Sequence, residues 1–279
     1  MTYVLFDIGG TKTRVAISED LKTFSDVESF KTPAQFEDGM DMVWAAVQKL
    51  TDKKITAIAG GLRGRLTEDK AGIENDAVLT KWVGKNVEKK LLQFADVPIF
   101  LENDTAIAGV GEAVFGAGRE SDIVAYHTIS TGVGGVKVEN GEIDHASCGF
   151  EPGHQILDID RTILGEDITP TLENLVSGTA VAERFGTKAY EIPQSDVVWD
   201  ELAEYLAQGL RNTILYWSPD VIVLGGSMIV GDPAISVDSI RKYTVEVLDG
   251  FVETPLICKA ELGDHAGLHG AMAVLAKRL

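Results

Sequence analysis

The sequence predicts an α/β fold in which two similar halves each begin with a β-hairpin. In the first hairpin, apolar Tyr3–Phe6 leads through DIGGTK at residues 7–12 into the alternating run Thr13–Ile17. The same order of strand, glycine turn and strand returns at Asp122–Glu139, where TGVGG occupies residues 131–135. Strand and helix patterns alternate after each hairpin, which is typical of layered α/β structure.

The remaining elements follow from hydrophobic spacing. The first half has a helical pattern at Phe36–Leu50, buried-strand patterns at Ile55–Leu62 and Val97–Leu101, and a small-residue-rich helix at Thr105–Phe115. The second half has a helix at about Trp199–Trp217, a strand at Val221–Leu224 that ends at Gly225-Gly226, and a final helix with Leu268, Ala271, Met272 and Leu275 on one face. Glycines and acids at strand ends predict a ligand cleft between the two halves.

Composition narrows the possible partners. The 279 residues carry a formal net charge of −18, which argues against nucleic acid or an anionic membrane as a partner and favours a small polar ligand. Cys148 and Cys258 lie far apart, outside any CxxC spacing, and are interpreted as buried thiols rather than a disulfide or a cysteine-rich metal site. No segment has the pattern of a signal peptide or a membrane span, so we expect a cytoplasmic protein.

The first glycine turn has the residue types of a phosphate and magnesium site. It combines a strand-end carboxylate, two glycines whose N–H groups can approach an anion, a hydroxyl and an ammonium group, in the order Asp7, Gly9, Gly10, Thr11, Lys12. A tight hairpin turn that simply requires glycine is the alternative. Neither glycine turn matches the P-loop or the dinucleotide fingerprint.

The second half offers further nucleotide contacts. Thr131 and Gly132 begin a turn with several unobstructed N–H donors, suited to phosphates. Gly225 and Gly226 end a buried strand, where a ribose or adenine can lie against the backbone. An ordinary turn and an ordinary strand exit are the respective alternatives.

Polar side chains that suit a sugar follow a strand and a glycine. Asn103 and Asp104 come directly after Val97–Leu101, so Asp104 is a candidate base and Asn103 a candidate hydroxyl ligand, although either can instead be the N-cap of the next helix. Further along the chain are Glu151, His154 and Glu173. Each of them alone is also compatible with a surface acid, a structural histidine or, for His154, a metal ligand.

Taken in order, these segments resemble the ROK family of sugar kinases and sugar-responsive repressors over nearly the whole chain. The matching stretches are DIGGTKTR (7–14), ENDTAIAGVGE (102–112), TGVGG (131–135), EPGH (151–154), ENLVSGTA (173–180), VIVLGG (221–226) and DHAGLHGA (264–271). The resemblance implies a duplicated actin-like, ribonuclease H-like fold with a sugar in the interdomain cleft, and a homodimer. We expect an N-terminal domain at 1–116, joined by a C-terminal helix at 265–279, and a larger domain at 117–264.

The resemblance also implies a role for each matching residue. Asp104 corresponds to the catalytic base, and the sugar ligands would be Asn103, Glu151, His154 and Glu173, with Gly61 on the specificity strand. Phosphate contacts would come from Gly9, Gly10, Thr11, Lys12, Thr131 and Gly132, with Asp7 near the magnesium ion and Gly225 and Gly226 beside adenosine.

Two departures from the family pattern stand out. Between His154 and Glu173 the family usually has a cysteine cluster that binds zinc, but this chain reads DIDRTILGEDITPTL, so zinc is not expected. The usual Pro-Gly turn is replaced by Gly60-Gly61-Leu62-Arg63-Gly64, and Pro152 replaces an aliphatic residue. Both changes affect the expected sugar site.

The function implied is phosphorylation of a hexose hydroxyl by ATP and Mg²⁺, with glucose, giving glucose 6-phosphate, as the first candidate. Fructose, N-acetylmannosamine and N-acetylglucosamine are alternatives, because the same groups hydrogen-bond any of them. A sugar-binding protein without catalysis is a further alternative. The repressor alternative is disfavoured, because such relatives carry a DNA-binding domain before the first hairpin, which here starts at Tyr3.

Overall fold

The computed structural model describes residues 1–146 and 149–279, which divide into two units. Unit 1 comprises Met1–Phe115 and Asp264–Leu279, and unit 2 comprises Gly116–Gly263. Cys148 lies outside the described residues. No helix in the described part of the chain is long and apolar enough to cross a membrane.

Unit 1 contains a five-stranded sheet with helices packed against it. Its elements before unit 2 are β1 (Tyr3–Ile8), β2 (Lys12–Ser18), β3 (Glu28–Lys31), α1 (Phe36–Leu50), β4 (Ala57–Leu62), β5 (Arg65–Leu66), β6 (Ile73–Asn75), α2 (Val87–Phe94), β7 (Ile99–Asn103) and α3 (Asp104–Val114). The strand order in the sheet is β3-β2-β1-β4-β7, with β1 antiparallel to β2 and parallel to β4. Since β4 and β7 are also parallel, the carboxyl ends of β1, β4 and β7 lie along one edge.

Unit 2 repeats this topology. Its elements are β8 (Ile123–Ile129), β9 (Val133–Glu139), β10 (Glu142–Ile143), α4 (Leu172–Val176), α5 (Gly178–Phe185), α6 (Val198–Trp217), β11 (Val221–Gly225), α7 (Ser227–Val230), α8 (Val237–Leu248) and β12 (Leu256–Lys259). The order β10-β9-β8-β11-β12 has the same sequence of antiparallel and parallel pairs as the first sheet. Three-residue 3₁₀ helices lie at Pro152–His154 and Ala189–Glu191, and another, Gly263–His265, spans the end of unit 2 and the return to unit 1.

The last helix, α9 (Ala266–Arg278), belongs to unit 1 and packs on α3. Gly111 of α3 and Gly270 of α9 lie where the two backbones approach closely. A Cβ atom at Gly111 would meet backbone atoms of Ala266, and one at Gly270 would meet the carbonyl of Ile107. Leu268, Met272 and Leu275 are fully buried on the sheet side of α9, and each contributes about 1.5–3 kcal/mol through burial.

The predicted elements are largely confirmed. The first helix has the predicted bounds, and both hairpins and the final helix form where the pattern placed them. The strand predicted at Val97–Leu101 lies two residues later, at Ile99–Asn103, because Asn103 still pairs with Leu62 before it caps α3. Cys258 lies in β12 and is only partly buried, because β12 is the edge strand of its sheet.

Candidate active site

The first glycine turn is held in place by backbone and threonine hydrogen bonds. The Gly9 amide donates to the Lys12 carbonyl at 3.1 Å, which closes the turn between β1 and β2. Below it, the Thr32 hydroxyl donates to the Gly9 carbonyl at 2.7 Å, and the Thr32 amide donates to the Thr11 carbonyl at 3.0 Å. Thr11 and Lys12 remain exposed at the tip. The turn therefore has the fixed, open shape that suits an anion.

Asp7 lies at the carboxyl end of β1 in a cradle of glycines. A Cβ atom at Gly267 would lie 2.8 Å from Asp7 Cγ, and one at Gly61 would lie 3.4 Å from Asp7 Oδ1. Burial, followed by the negative charge of Asp104, raises the pKa of Asp7 to about 7, although the Arg14 guanidinium acts in the opposite direction. Arg14 Nη1 lies 3.6 Å from Asp7 Oδ2.

Asp104 is the first residue of α3, where β7 ends. Its Oδ1 atom accepts a hydrogen bond from the Thr105 amide at 2.8 Å. Burial raises the pKa of Asp104 to about 6, against the lowering effects of the Thr105 amide and of the Arg63 charge. A Cβ atom at Gly61 would lie 3.3 Å from Asp104 Cα. Gly61 therefore separates Asp7 from Asp104.

Asn103 is the N-cap of α3, one of the two alternatives that the sequence left open. Its Oδ1 atom accepts from the amides of Thr105 and Ala106 at 3.0 and 3.1 Å. Its Nδ2 atom donates to the Gly64 carbonyl at 3.0 Å, which leaves one N–H. The cap fixes where α3 begins and so fixes Asp104.

Arg63 and Asp76 belong to this site but were not selected from the sequence. Arg63 Nε donates to Asp76 Oδ1 at 3.1 Å, and the Asp76 side chain is 5% exposed. Asp76 Oδ2 accepts from the amides of Val78 and Leu79 at 3.1 and 2.5 Å. The available signal was Arg63 itself, at the position where the Pro-Gly turn was expected.

In unit 2, Glu173 lies against the second glycine turn. Its Oε2 atom accepts from the Val133 amide at 2.8 Å, and a Cβ atom at Gly132 would lie 2.6 Å from that oxygen. The Thr179 hydroxyl donates to the Thr131 carbonyl at 2.7 Å. Glu173, Thr131 and Gly132 therefore lie close together, and Thr131 is exposed. Their contacts with a sugar or a phosphate stay predictions.

Gly225 and Gly226 end β11 beside the same turn. Gly226 has φ +84, and a Cβ atom there would meet the backbone of Ile129 at the end of β8. The hydroxyls of Ser130 and Ser227 lie 3.1 Å apart. This edge of the second sheet thus presents backbone and hydroxyl groups, the kind of surface that suits a nucleotide.

Glu151 directly precedes the 3₁₀ helix Pro152–His154, of which His154 is the last residue, and both side chains are exposed. Gly153 between them packs on Val133, because a Cβ atom at Gly153 would lie 2.9 Å from Val133 Cβ. Val133 also donates to Glu173, so the EPGH segment lies next to the Glu173 side of the turn.

The segment between His154 and Glu173 is ordered by a buried carboxylate. Asp158 is 4% exposed. Its Oδ1 atom accepts from the Thr162 amide at 3.0 Å, and its Oδ2 atom accepts from the amides of Ile163 and Leu164 at 3.1 and 2.8 Å. These bonds hold the pKa of Asp158 below its usual value. Within residues 1–146 and 149–279, no three His, Cys, Asp or Glu side chains converge as metal ligands.

Mg²⁺ bound with a nucleotide is compatible with the residues of unit 1. Carboxylate oxygens are the ligands that this hard cation prefers, and it usually takes only one or two of them together with phosphate oxygens. The raised pKa values of Asp7 and Asp104 indicate two carboxylates whose negative charge is poorly compensated in the protein alone. Asp7, beside the glycine turn, is the residue that fits such a cation.

The sequence model of the ROK family matches residues 3–278. The chain belongs to the ROK family. A fructokinase of Lactococcus lactis subsp. cremoris is 27% identical over 268 residues, which cover 93% of this chain and 89% of that protein. The family and the actin-like fold predicted from the sequence are thereby confirmed.

Solved structures of ROK proteins share the fold over the full length. A Streptococcus pneumoniae ROK protein in complex with sucrose has a TM-score of 0.82 at 24% identity, covering 100% of this chain and 99% of that one. A Streptomyces griseus glucokinase in complex with glucose and AMPPNP has a TM-score of 0.77 at 24% identity, covering 100% of both chains.

Proposed function

We propose that this ROK protein transfers the γ-phosphoryl group of ATP to a hydroxyl group of a hexose, with Asp104 as the general base. The observation that carries the proposal is the placement of Asp104 and Asp7 at the carboxyl ends of two parallel-sheet strands, on either side of Gly61, with a phosphate-type glycine turn next to Asp7. The family membership and the kinase relatives support it.

The proposed chemistry follows from the electrostatics of Asp104. A carboxylate with a pKa of about 6 is ionised at neutral pH, yet it is a stronger base than an ordinary aspartate. It would accept the proton of the sugar hydroxyl as the oxygen attacks the γ-phosphorus. Most of the rate in such reactions comes from positioning and charge stabilisation.

The glycine turns and strand ends would bind the nucleotide. Gly9, Gly10, Thr11 and Lys12 of unit 1, and Thr131 and Gly132 of unit 2, would bind the phosphates, while Gly225 and Gly226 would lie beside the adenosine. Mg²⁺ held near Asp7 would neutralise charge on the phosphates. Zinc takes no part in the proposal.

Glu151, His154 and Glu173 would bind the sugar hydroxyls, with Asn103 offering its remaining N–H. Glucose and fructose are the two substrates to test first, since a glucokinase and a fructokinase are both among the similar proteins. N-acetylmannosamine and N-acetylglucosamine complete the panel. We further propose that the protein is a homodimer. Within each chain, the proposed domains are 1–116 with 265–279, and 117–264.

The test is ADP release with Mg-ATP across this panel for the wild type and Asp104→Asn. We expect sugar-dependent turnover that falls about 10²-fold or more in the variant, while sugar binding persists. Glu102→Gln is the matched control. It alters a strand-end acid two positions away that pairs with Lys70 at 2.5 Å, and it should retain turnover. Wild-type turnover in Asp104→Asn would remove Asp104 from the role. Sugar binding without turnover in the wild type would instead support a non-catalytic protein.

A further inference from the structure

Arg63 lies beside the first glycine turn and Asp104, but the kinase mechanism proposed above assigns it no role. It follows β4, which lies between β1 and β7 in the sheet, in the segment where the sequence departs from the Pro-Gly turn of its family. Its side chain is 33% exposed. The guanidinium therefore lies at the carboxyl end of β4, partly exposed beside the proposed site.

The stem of Arg63 rests on the first glycine turn. A Cβ atom at Gly10 would lie 3.1 Å from Arg63 Cδ and 3.2 Å from Arg63 Nε. At the same time the charge of Arg63 acts on Asp104 strongly enough to lower its pKa. The guanidinium thus lies near both the turn that would bind phosphate and the carboxylate that would accept the proton, all within unit 1.

Asp76 fixes the orientation of this guanidinium through one edge only. Its carboxylate is nearly buried, is itself held by the amides of Val78 and Leu79, and accepts from Arg63 Nε at 3.1 Å. Across residues 1–146 and 149–279, no protein atom accepts a hydrogen bond from Nη1 or Nη2. Two terminal nitrogens of an oriented arginine are the donors that bind a phosphoryl group in bidentate fashion.

We propose that Arg63 is a catalytic residue that donates its terminal N–H groups to the transferring γ-phosphoryl group, and that Asp76 positions it. This inference rests on the proposed kinase function. In the step concerned, a lone pair of the sugar hydroxyl oxygen forms the new O–P bond, and its proton goes to Asp104. The bond between the γ-phosphorus and the bridging oxygen breaks with its electron pair on the oxygen, which leaves as part of ADP. Arg63 stabilises the charge on the equatorial phosphoryl oxygens.

The test compares Arg63→Met, Arg63→Lys and Asp76→Asn with the wild type by steady-state kinetics on the sugar that the wild type phosphorylates. For Arg63→Met, which keeps the apolar stem, we expect kcat to fall about 10²-fold with a smaller change in either KM. Arg63→Lys keeps the positive charge but loses the two-pronged guanidinium, and Asp76→Asn weakens the hydrogen bond that orients Arg63. The kcat of both variants should therefore lie between those of the wild type and Arg63→Met.

The matched control is Arg65→Met. Arg65 lies two residues along the chain, is 69% exposed and pairs with Glu74 at 2.9 Å, so its loss should leave kcat unchanged. A second signature is the acidic limb of the pH profile of kcat/KM. Three charged side chains, Arg63, Asp76 and Asp7, lie near Asp104. Of these, only Arg63 carries a positive charge, which lowers the pKa of Asp104. The limb should therefore move to higher pH in Arg63→Met.

Three results would overturn the assignment. If Arg63→Met raises the sugar KM and leaves kcat intact, Arg63 binds the sugar rather than the phosphoryl group. If Arg63→Lys loses as much activity as Arg63→Met together with thermal stability, the residue is structural. If the wild type turns over no sugar, the proposed function fails, and nucleotide binding then tests Arg63 separately. A contact with the terminal phosphate requires that the wild type bind Mg-ATP more tightly than Mg-ADP and that Arg63→Met lose this difference. Equal binding of the two nucleotides by the wild type is the third result that would overturn the assignment.

Discussion

Arg14 and Asp264, 250 positions apart in the chain, form an ion pair in which Arg14 Nη2 donates to Asp264 Oδ2 at 2.5 Å. The pair joins the first hairpin to the 3₁₀ helix Gly263–His265, which directly precedes α9. Arg14 is 14% exposed, whereas Asp264 is 73% exposed, so the contact lies at the rim. Because the same guanidinium lies 3.6 Å from Asp7, it divides its charge between a rim carboxylate and the candidate magnesium ligand.

Asp264→Asn should destabilise the protein modestly. The exposed partner limits the loss to roughly 0.5–1 kcal/mol, which urea unfolding of the variant would measure. Asp238→Asn is the control, since Asp238 pairs with Arg241 at 2.8 Å within one helix and is 89% exposed, and its loss should be smaller. Equal midpoints for the two variants would show that the longer-range pair stabilises the protein no more than the pair within one helix.

Asp7→Asn should stabilise the ligand-free protein at alkaline pH. The folded state raises the pKa of Asp7 from its usual 3.8 to about 7, so between these values the folded state holds a proton that the unfolded state has released. Stability therefore falls as pH rises through this window, and asparagine removes the loss. We expect a gain on the order of 1 kcal/mol at pH 8 and none near pH 4, measured by thermal unfolding, together with weaker Mg-ATP binding.

Asp20→Asn is the control for the thermal unfolding of Asp7→Asn, because the pKa of Asp20 is lowered whereas that of Asp7 is raised. Hydrogen bonds from the amides of Thr23 and Lys22 lower the pKa of this exposed carboxylate, so its contribution is present at pH 8 and is lost as pH falls below the usual range. A gain at pH 8 for Asp20→Asn, or none for Asp7→Asn, would contradict the account.

The pH profile of turnover should report on Asp104. Burial raises its pKa to about 6, and a base must be unprotonated to act. The quantity kcat/KM should therefore fall tenfold per pH unit below about 6. The negative charge of Asp104 also raises the pKa of Asp7, so the two carboxylates interact and the limb reports on the pair rather than on one residue. A profile that stays flat to pH 5 would exclude a base with a pKa near 6.

Much of the fold was predictable because its signals are local. Glycine turns between alternating apolar residues gave both hairpins, and the apolar spacing gave α1 with its observed bounds. The sequence left two roles open for Asn103 and gave none to Arg63, because the choice depends on partners that are not adjacent in the chain. The cap at Asn103 is completed by the Gly64 carbonyl, and Arg63 is oriented by Asp76. Sequence spacing does not reveal which side chains meet, so the sugar-binding roles of Glu151, His154 and Glu173 stay predictions.

The loop between His154 and Glu173 should depend on Asp158 rather than on a metal ion. Its two carboxylate oxygens accept from three backbone amides, and Asp158→Asn replaces one oxygen with a donor that opposes at least one of them. Since the loop connects two proposed sugar ligands, we expect a higher KM for the sugar and a nearly unchanged KM for ATP. Removal of zinc by chelation, with magnesium restored, should leave the wild type fully active.

Asp160→Asn is the matched control, an exposed acid two residues away in the same loop, and it should behave as the wild type. The low pKa of Asp158 adds a signature, because the stability that it provides is present at neutral pH and is lost as pH falls through its folded pKa. Asp158→Asn should therefore lose stability at pH 7 and differ less from the wild type in acid. A tightly bound, stoichiometric zinc ion in the purified protein, or equal changes in both KM values for Asp158→Asn, would show that the carboxylate does not order the sugar side of the site.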